Sequence, residues 1–102
     1  AGMAVTTLTP ELATRLRTPI KNGVVVVTVN PGSPADDIGL QQGDVILRVG
    51  AGQEAVEVNT EEEFWTALSK QLAAAKHGVL IRFQRGNTAT TRTLQIDEKS
   101  QR

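Results

Sequence analysis

Runs of β-branched apolar residues alternate along the chain with short breaks rich in glycine, proline and polar residues, and this pattern predicts the elements. GMAVTTL (2–8) reads as a short strand. TPELATRLR (9–17) reads as a short helix: Thr9 can cap it, Pro10 suits its first position, and Glu11 meets the positive end of its dipole. Leu12 and Leu16 fall on one face of that helix. GVVVVTV (23–29) is apolar at odd and even positions alike, as in a strand buried on both faces. NPGSPADD (30–37) is dense in turn chemistry, with Ser33 placed to cap one helical turn. DVILRV (44–49) is a further strand, and GAGQEAVEV (50–58) reads as a turn into a short strand.

The clearest helix is EEEFWTALSKQLAAA (61–75). Thr60 and Glu63 have capping-box spacing, three glutamates fill the first turn, and Lys70 and Lys76 lie toward the end, as the dipole favours. Gly78 marks the exit. Glu61, Trp65, Leu68 and Leu72 share one stripe; Phe64, Ala67 and Gln71 form the next, with Phe64 and Ala67 expected in the core. VLIRFQ (79–84) alternates, with Val79, Ile81 and Phe83 on one face; RGN (85–87) suits a hairpin turn, and TTRTLQI (90–96) returns. Strands outnumber helices without βαβ alternation. The expectation is an α+β domain over 1–97: a small, partly open antiparallel barrel or sandwich of five to six strands capped by two helices, with a polar tail at 98–102.

Composition narrows the function classes. The 102 residues suit one domain, and 39% apolar content is enough for a core. Eleven basic residues balance eleven acidic ones, which argues against a nucleic-acid partner or an anionic membrane surface. With no cysteine there is neither a disulfide nor a thiolate metal site. No apolar run approaches the roughly 18 residues of a membrane span, so direct membrane insertion is not expected. The chain opens on AGMAV without an initiator methionine and reads as an excised piece of a longer protein, with Ala1 a candidate cloning remnant.

Catalytic chemistry finds little to work with. The serines are Ser33, Ser69 and Ser100, and no Gly-x-Ser-x-Gly elbow surrounds any of them. His77, the lone histidine, falls at a helix exit, where a solvated imidazole is favourable. Asp36 and Asp37 are adjacent and cannot face each other as an acid–base pair. Glu61, Glu62 and Glu63 read as dipole partners rather than metal ligands. Neither a catalytic residue nor a metal or cofactor is expected. Gly39 and Gly43 in IGLQQGDVI (38–46) have the spacing of a phosphate-clamping loop, but Gln41, Gln42 and Asp44 supply no cation. The bland reading is that both glycines turn the chain around Leu40, which plugs the core, while Asp44 ties the turn.

Taken together, VNPGSPADDIGLQQGDVILRVG (29–50) resembles the signature of a PDZ domain, and the resemblance extends over residues 2–96. The order of elements, with the carboxylate-binding loop first and TTRTLQI last, is similar to the permuted PDZ domains of bacterial HtrA/Deg-type (Do-like) serine proteases. Related modules occur in site-2 and tail-specific proteases. Two features depart from the family pattern. Ala1 stands where a large apolar residue usually precedes the loop glycine, and segment 50–58 is longer than the usual turn.

The resemblance implies a module that binds extended C-terminal peptides by strand addition. Met3, Ala4, Val5, Thr6 and Thr7 would pair with the peptide, and amides around Ala1, Gly2 and Met3 would cradle its carboxylate. Glu61 would begin the opposite wall, Trp65 would lie mid-groove, and Leu68, with Leu72 on the same stripe, would meet the terminal side chain. Met3, Val5 and Leu68 would then form a pocket for Val, Leu, Ile or Ala. The residues alone leave alternatives open: Trp65 and Met3 fit core packing, Leu68 and Leu72 fit burial beneath the groove, and Glu61 fits a plain helix-terminal charge. By resemblance the partners are C-terminal or unfolded polypeptide segments and a protease domain of the same chain, in the periplasm or cell envelope. A second expectation is a structural interaction module within a protease or secretion assembly.

Overall fold

The computed structural model describes residues 2–74 and 78–95. Ala1, Ala75 of the expected helix, Lys76, His77, Ile96 of the expected last strand and the expected tail at 98–102 lie outside the described residues. In chain order the elements are β1 (Met3–Thr7), α1 (Pro10–Leu16), β2 (Val24–Val29), α2 (Pro34–Asp37), β3 (Val45–Val49), a 3-10 turn (Gly52–Glu54), β4 (Val56–Glu57), α3 (Glu61–Ala74), β5 (Gly78–Arg85) and β6 (Thr88–Gln95). The strands form one open antiparallel sheet in the order β1-β2-β3-β5-β6, with β4 also paired to β3. This is the expected α+β class, with three helices in place of two. The third is α2, the single turn that Ser33 caps. Segment 50–58 resolves into the 3-10 turn and the two-residue β4.

Burial follows from how helices cover the two sheet faces. On one face Val24, Val26, Ile46, Val49, Ile81, Phe83 and Leu94 pack with Phe64, Ala67 and Leu68 of α3 in the main core. On the other, Val25 and Val45 pack under Leu12, Ala13 and Leu16 of α1, with Leu8 alongside. Double cover accounts for three of the four consecutive valines of β2: Val24 and Val26 face α3 and Val25 faces α1, whereas Val27, expected buried, is 39% exposed because neither helix reaches it.

Capping fixes the helix starts. The Thr9 hydroxyl accepts from Leu12 N–H at 3.2 Å, and the Thr60 hydroxyl accepts from Glu63 N–H at 3.1 Å. The reciprocal half of the expected box is shifted by one residue, because the Glu63 carboxylate accepts from Asn59 N–H at 2.8 Å.

The IGLQQGDVI turn behaves as its glycines suggest. Gly39 and Gly43 adopt φ of +85° and +93°, and Leu40 between them is 2% exposed. Asp44 ties the turn by accepting from Gln41 N–H at 2.8 Å. It also receives Arg85 from the end of β5, a partner that the sequence did not announce.

Candidate functional site

β1 lies at one end of the sheet and pairs only with β2, so its second edge has no strand partner among the described residues. An unpaired edge in a small sheet is a liability unless something covers or uses it. Here α3 lies beside β1. The Thr7 hydroxyl accepts from Glu61 N–H at 3.1 Å, joining the end of β1 to the start of α3. Gly2 and Met3 lie at the other end of β1.

Gly2 is set by close approach. Its φ is +78°, and a Cβ built there would meet the Ser33 Cβ at 2.1 Å. Its carbonyl accepts from Asn30 N–H at 2.7 Å and from the Ser33 hydroxyl at 3.3 Å. The same hydroxyl donates more closely to the Asn30 carbonyl, at 2.7 Å, and caps α2 by accepting from Asp36 N–H. The bend that opens β1 thus rests on the loop carrying Asn30 and Ser33. Both residues escaped sequence reasoning as site residues; the cap signal at Ser33 was visible, but its contact with a residue 31 positions away was not.

The side chains named from the sequence fall into two groups. Val5 and Leu68 are core residues at 8% and 2% exposure. Of the pocket that the resemblance implies from Met3, Val5 and Leu68, only Met3 is partly exposed, packed against the main core as Leu72 and Trp65 are. Ala4 and Glu61 are exposed, and Thr6 and Thr7 are half-buried. The Trp65 ring meets Phe64 edge-on, with centroids 4.8 Å apart. Its other side opens on a cavity of about 460 Å³ shared with Thr7, Thr60, Glu61 and Glu62. One aromatic ring and two carboxylate side chains thus line this cavity.

A larger concavity of about 810 Å³ lies away from this groove, between segment 50–56, α3 and the start of β5. Gln71 of α3 crosses it, donating to the Val49 and Glu54 carbonyls at 3.1 and 2.8 Å. That gives segment 50–58 a structural role: it is bound to α3 through one side chain.

Known proteins resemble the chain in both fold and sequence. The PDZ domain family model matches residues 2–96. HhoB of Synechocystis sp., provisionally named a serine protease, is 40% identical over a match covering 57% of this chain and 18% of its own length. A protein of Clostridium perfringens, provisionally named a zinc metalloprotease, is 33% identical, with 69% of this chain and 19% of its own length covered. The chain therefore spans less than a fifth of these curated relatives. Among solved structures, the HtrA3 PDZ domain bound to a phage-derived ligand (FGRWV) superposes with a TM-score of 0.72 at 24% identity, covering 92% of this chain and 80% of that one. With the family model matched over all the described residues and the same fold in a solved PDZ domain, the chain belongs to the PDZ domain family.

Proposed function

We propose that this domain captures the carboxyl end of an extended polypeptide and adds it as a strand to the free edge of β1, against α3. The observation that carries this is the combination at β1: an unpaired sheet edge beside a helix, opened by the left-handed bend at Gly2. Backbone pairing along Met3, Ala4, Val5, Thr6 and Thr7 supplies affinity without regard to peptide sequence. Amides of the bend at Gly2 and Met3 receive the terminal carboxylate through oriented N–H dipoles.

In this reading Met3 and Leu72, which pack partly exposed against the core that contains Val5 and Leu68, receive an apolar last residue. Residues further upstream meet Trp65 and the carboxylates of Glu61 and Glu62, which favours a basic side chain there. The similarity to HhoB supports a place for the domain as substrate-recruiting or regulatory module of an HtrA-like serine protease of the periplasm or cell envelope. Hydrolysis then belongs to the protease domain.

The single tryptophan provides the test. Its fluorescence is followed while a peptide ending in valine is added as the free acid or as the C-terminal amide. The expected result is saturable binding of the acid and at least tenfold weaker binding of the amide. Equal binding of the two forms sinks the carboxylate cradle. Absence of binding by either favours the second reading, an interaction module with its groove shut. That reading draws on the Thr7–Glu61 bond and on the burial of Val5 and Leu68.

A further inference from the structure

The sheet face that α1 covers is only partly covered. α1 shields Val25 and Val45, and beyond it Glu57, Arg48, Arg82 and Thr91 follow one another across β4, β3, β5 and β6 as directly paired residues. Opposed residues in such a ladder point to the same face, so Arg48 and Arg82 rise side by side, with Cβ atoms roughly 5 Å apart. Like charges in that relationship repel. Glu57 offsets one of them: Arg48 Nη2 donates to its Oε1 at 3.1 Å. On the far side of Arg82 stands Thr91, which carries no charge.

Lys21, from the segment leading into β2, joins these residues around a concavity of about 580 Å³. Three cations thus share it with one carboxylate. Asn22 and Asn59 add amide groups, and Ile20 and Leu47 add apolar surface. The chain as a whole carries no net charge, so this is a local concentration.

We infer that this concavity docks an acidic polypeptide segment, whose carboxylates bridge Arg82 and Lys21 and relieve the Arg48–Arg82 repulsion. Guanidinium groups present fixed pairs of N–H donors that match a carboxylate, and two adjacent ones can hold an acidic run. The features around the cations favour a peptide over a polyphosphate. Glu57, with 68% of its side chain exposed, repels a continuous row of phosphates. Ile20 and Leu47 suit the aliphatic stems of glutamates, and the two asparagines suit a peptide backbone. The surface lies on the sheet face opposite the one α3 covers, so it does not depend on the groove reading.

The test is an amide chemical-shift titration of the domain with tetraglutamate blocked at both ends, so that no free carboxyl terminus can enter the groove. Saturable shifts centred on Lys21, Asn22, Arg48 and Arg82 are expected, weakening as salt is raised. Arg82→Gln should weaken binding about tenfold, the loss of one charge-assisted contact. It should leave the thermal midpoint unchanged or raised, since it removes a like-charge neighbour. Lys21→Gln, outside the sheet, should weaken binding without bearing on folding. The inference is overturned by an absence of saturable shifts, by shifts that persist unchanged in Arg82→Gln and Lys21→Gln, or by inorganic phosphate or duplex DNA matching the peptide at equal concentration.

Discussion

Arg85 and Asp44, forty-one positions apart, form a two-point ion pair: Arg85 Nε and Nη2 donate to Asp44 Oδ1 and Oδ2, each at 2.8 Å. The two ends differ in environment, with 48% of the Arg85 side chain exposed and only 2% of Asp44. Arg85 Nη2 also donates to the Gly39 carbonyl at 2.7 Å, so one guanidinium fastens the whole glycine turn to the end of β5. The hydrogen bond with Asp44 holds the Arg85 proton more firmly than usual, outweighing the desolvation that opposes it, and the attraction of the Asp44 charge adds to it.

Removing the cation should be costly because the buried carboxylate loses its counter-charge. Arg85→Ala is expected to destabilise the domain by about 2–3 kcal/mol, somewhat less than the loss of a fully buried pair, since water can reach the exposed side. Urea unfolding measures it. A double-mutant cycle with Asp44→Asn should show coupling above ~1 kcal/mol, and additivity would remove the clamp from the account of this turn.

Gly2 should tolerate no side chain. Gly2→Ala combines a left-handed φ of +78° with an overlap against the Ser33 Cβ at 2.1 Å. Since a residue forced to positive φ costs about 1 kcal/mol or more, the bend should shift before the core yields. The expected outcome is a near-wild-type melting curve with free-acid peptide binding weakened tenfold or more, read by calorimetry. Wild-type affinity in this variant would detach the bend from recognition.

The Thr7 hydroxyl gives α3 a second cap from outside the helix, alongside Thr60. Thr7→Val keeps the shape and removes the acceptor. A loss of about 1 kcal/mol is expected, with faster amide exchange at Glu61 and little change elsewhere. If the bond also holds the groove shut, the variant should bind free-acid peptide more tightly; weaker binding would place the hydroxyl in peptide contact instead.

Gln71 binds α3 to segment 50–58 through the Glu54 carbonyl and to the end of β3 through the Val49 carbonyl. Gln71→Ala should cost about 1–2 kcal/mol and accelerate exchange at Glu54 and Ala55, whose amides close the local 3-10 turn. Peptide affinity should be unchanged, because neither carbonyl lies in the groove.

Much of this protein was legible in local sequence. Thr9, Ser33 and Thr60 identify their helix starts because a capping hydroxyl acts within three or four residues. Gly39 and Gly43 mark a turn because φ is a single-residue property. Val24, Val25 and Val26 announced burial on both faces because periodicity is itself local, but the same run did not reveal that Val27 stays exposed. What chain order could not specify is which side chain reaches which distant backbone. Leu68 sits in the core while Trp65 and Leu72 on the same stripe stay partly exposed, because the position of α3 over the sheet, not helical spacing, sets depth. The contacts of Ser33 with Gly2, Glu61 with Thr7 and Arg85 with Asp44 span 31 to 54 positions and exist only once the sheet has formed. The row that places Arg48 beside Arg82 depends on a register with an irregularity between Ile46 and Arg48. Because side chains alternate faces, moving a strand by one residue sends a charge to the other side. Sequence therefore determined the elements and their ends, and tertiary register decided which surfaces they compose.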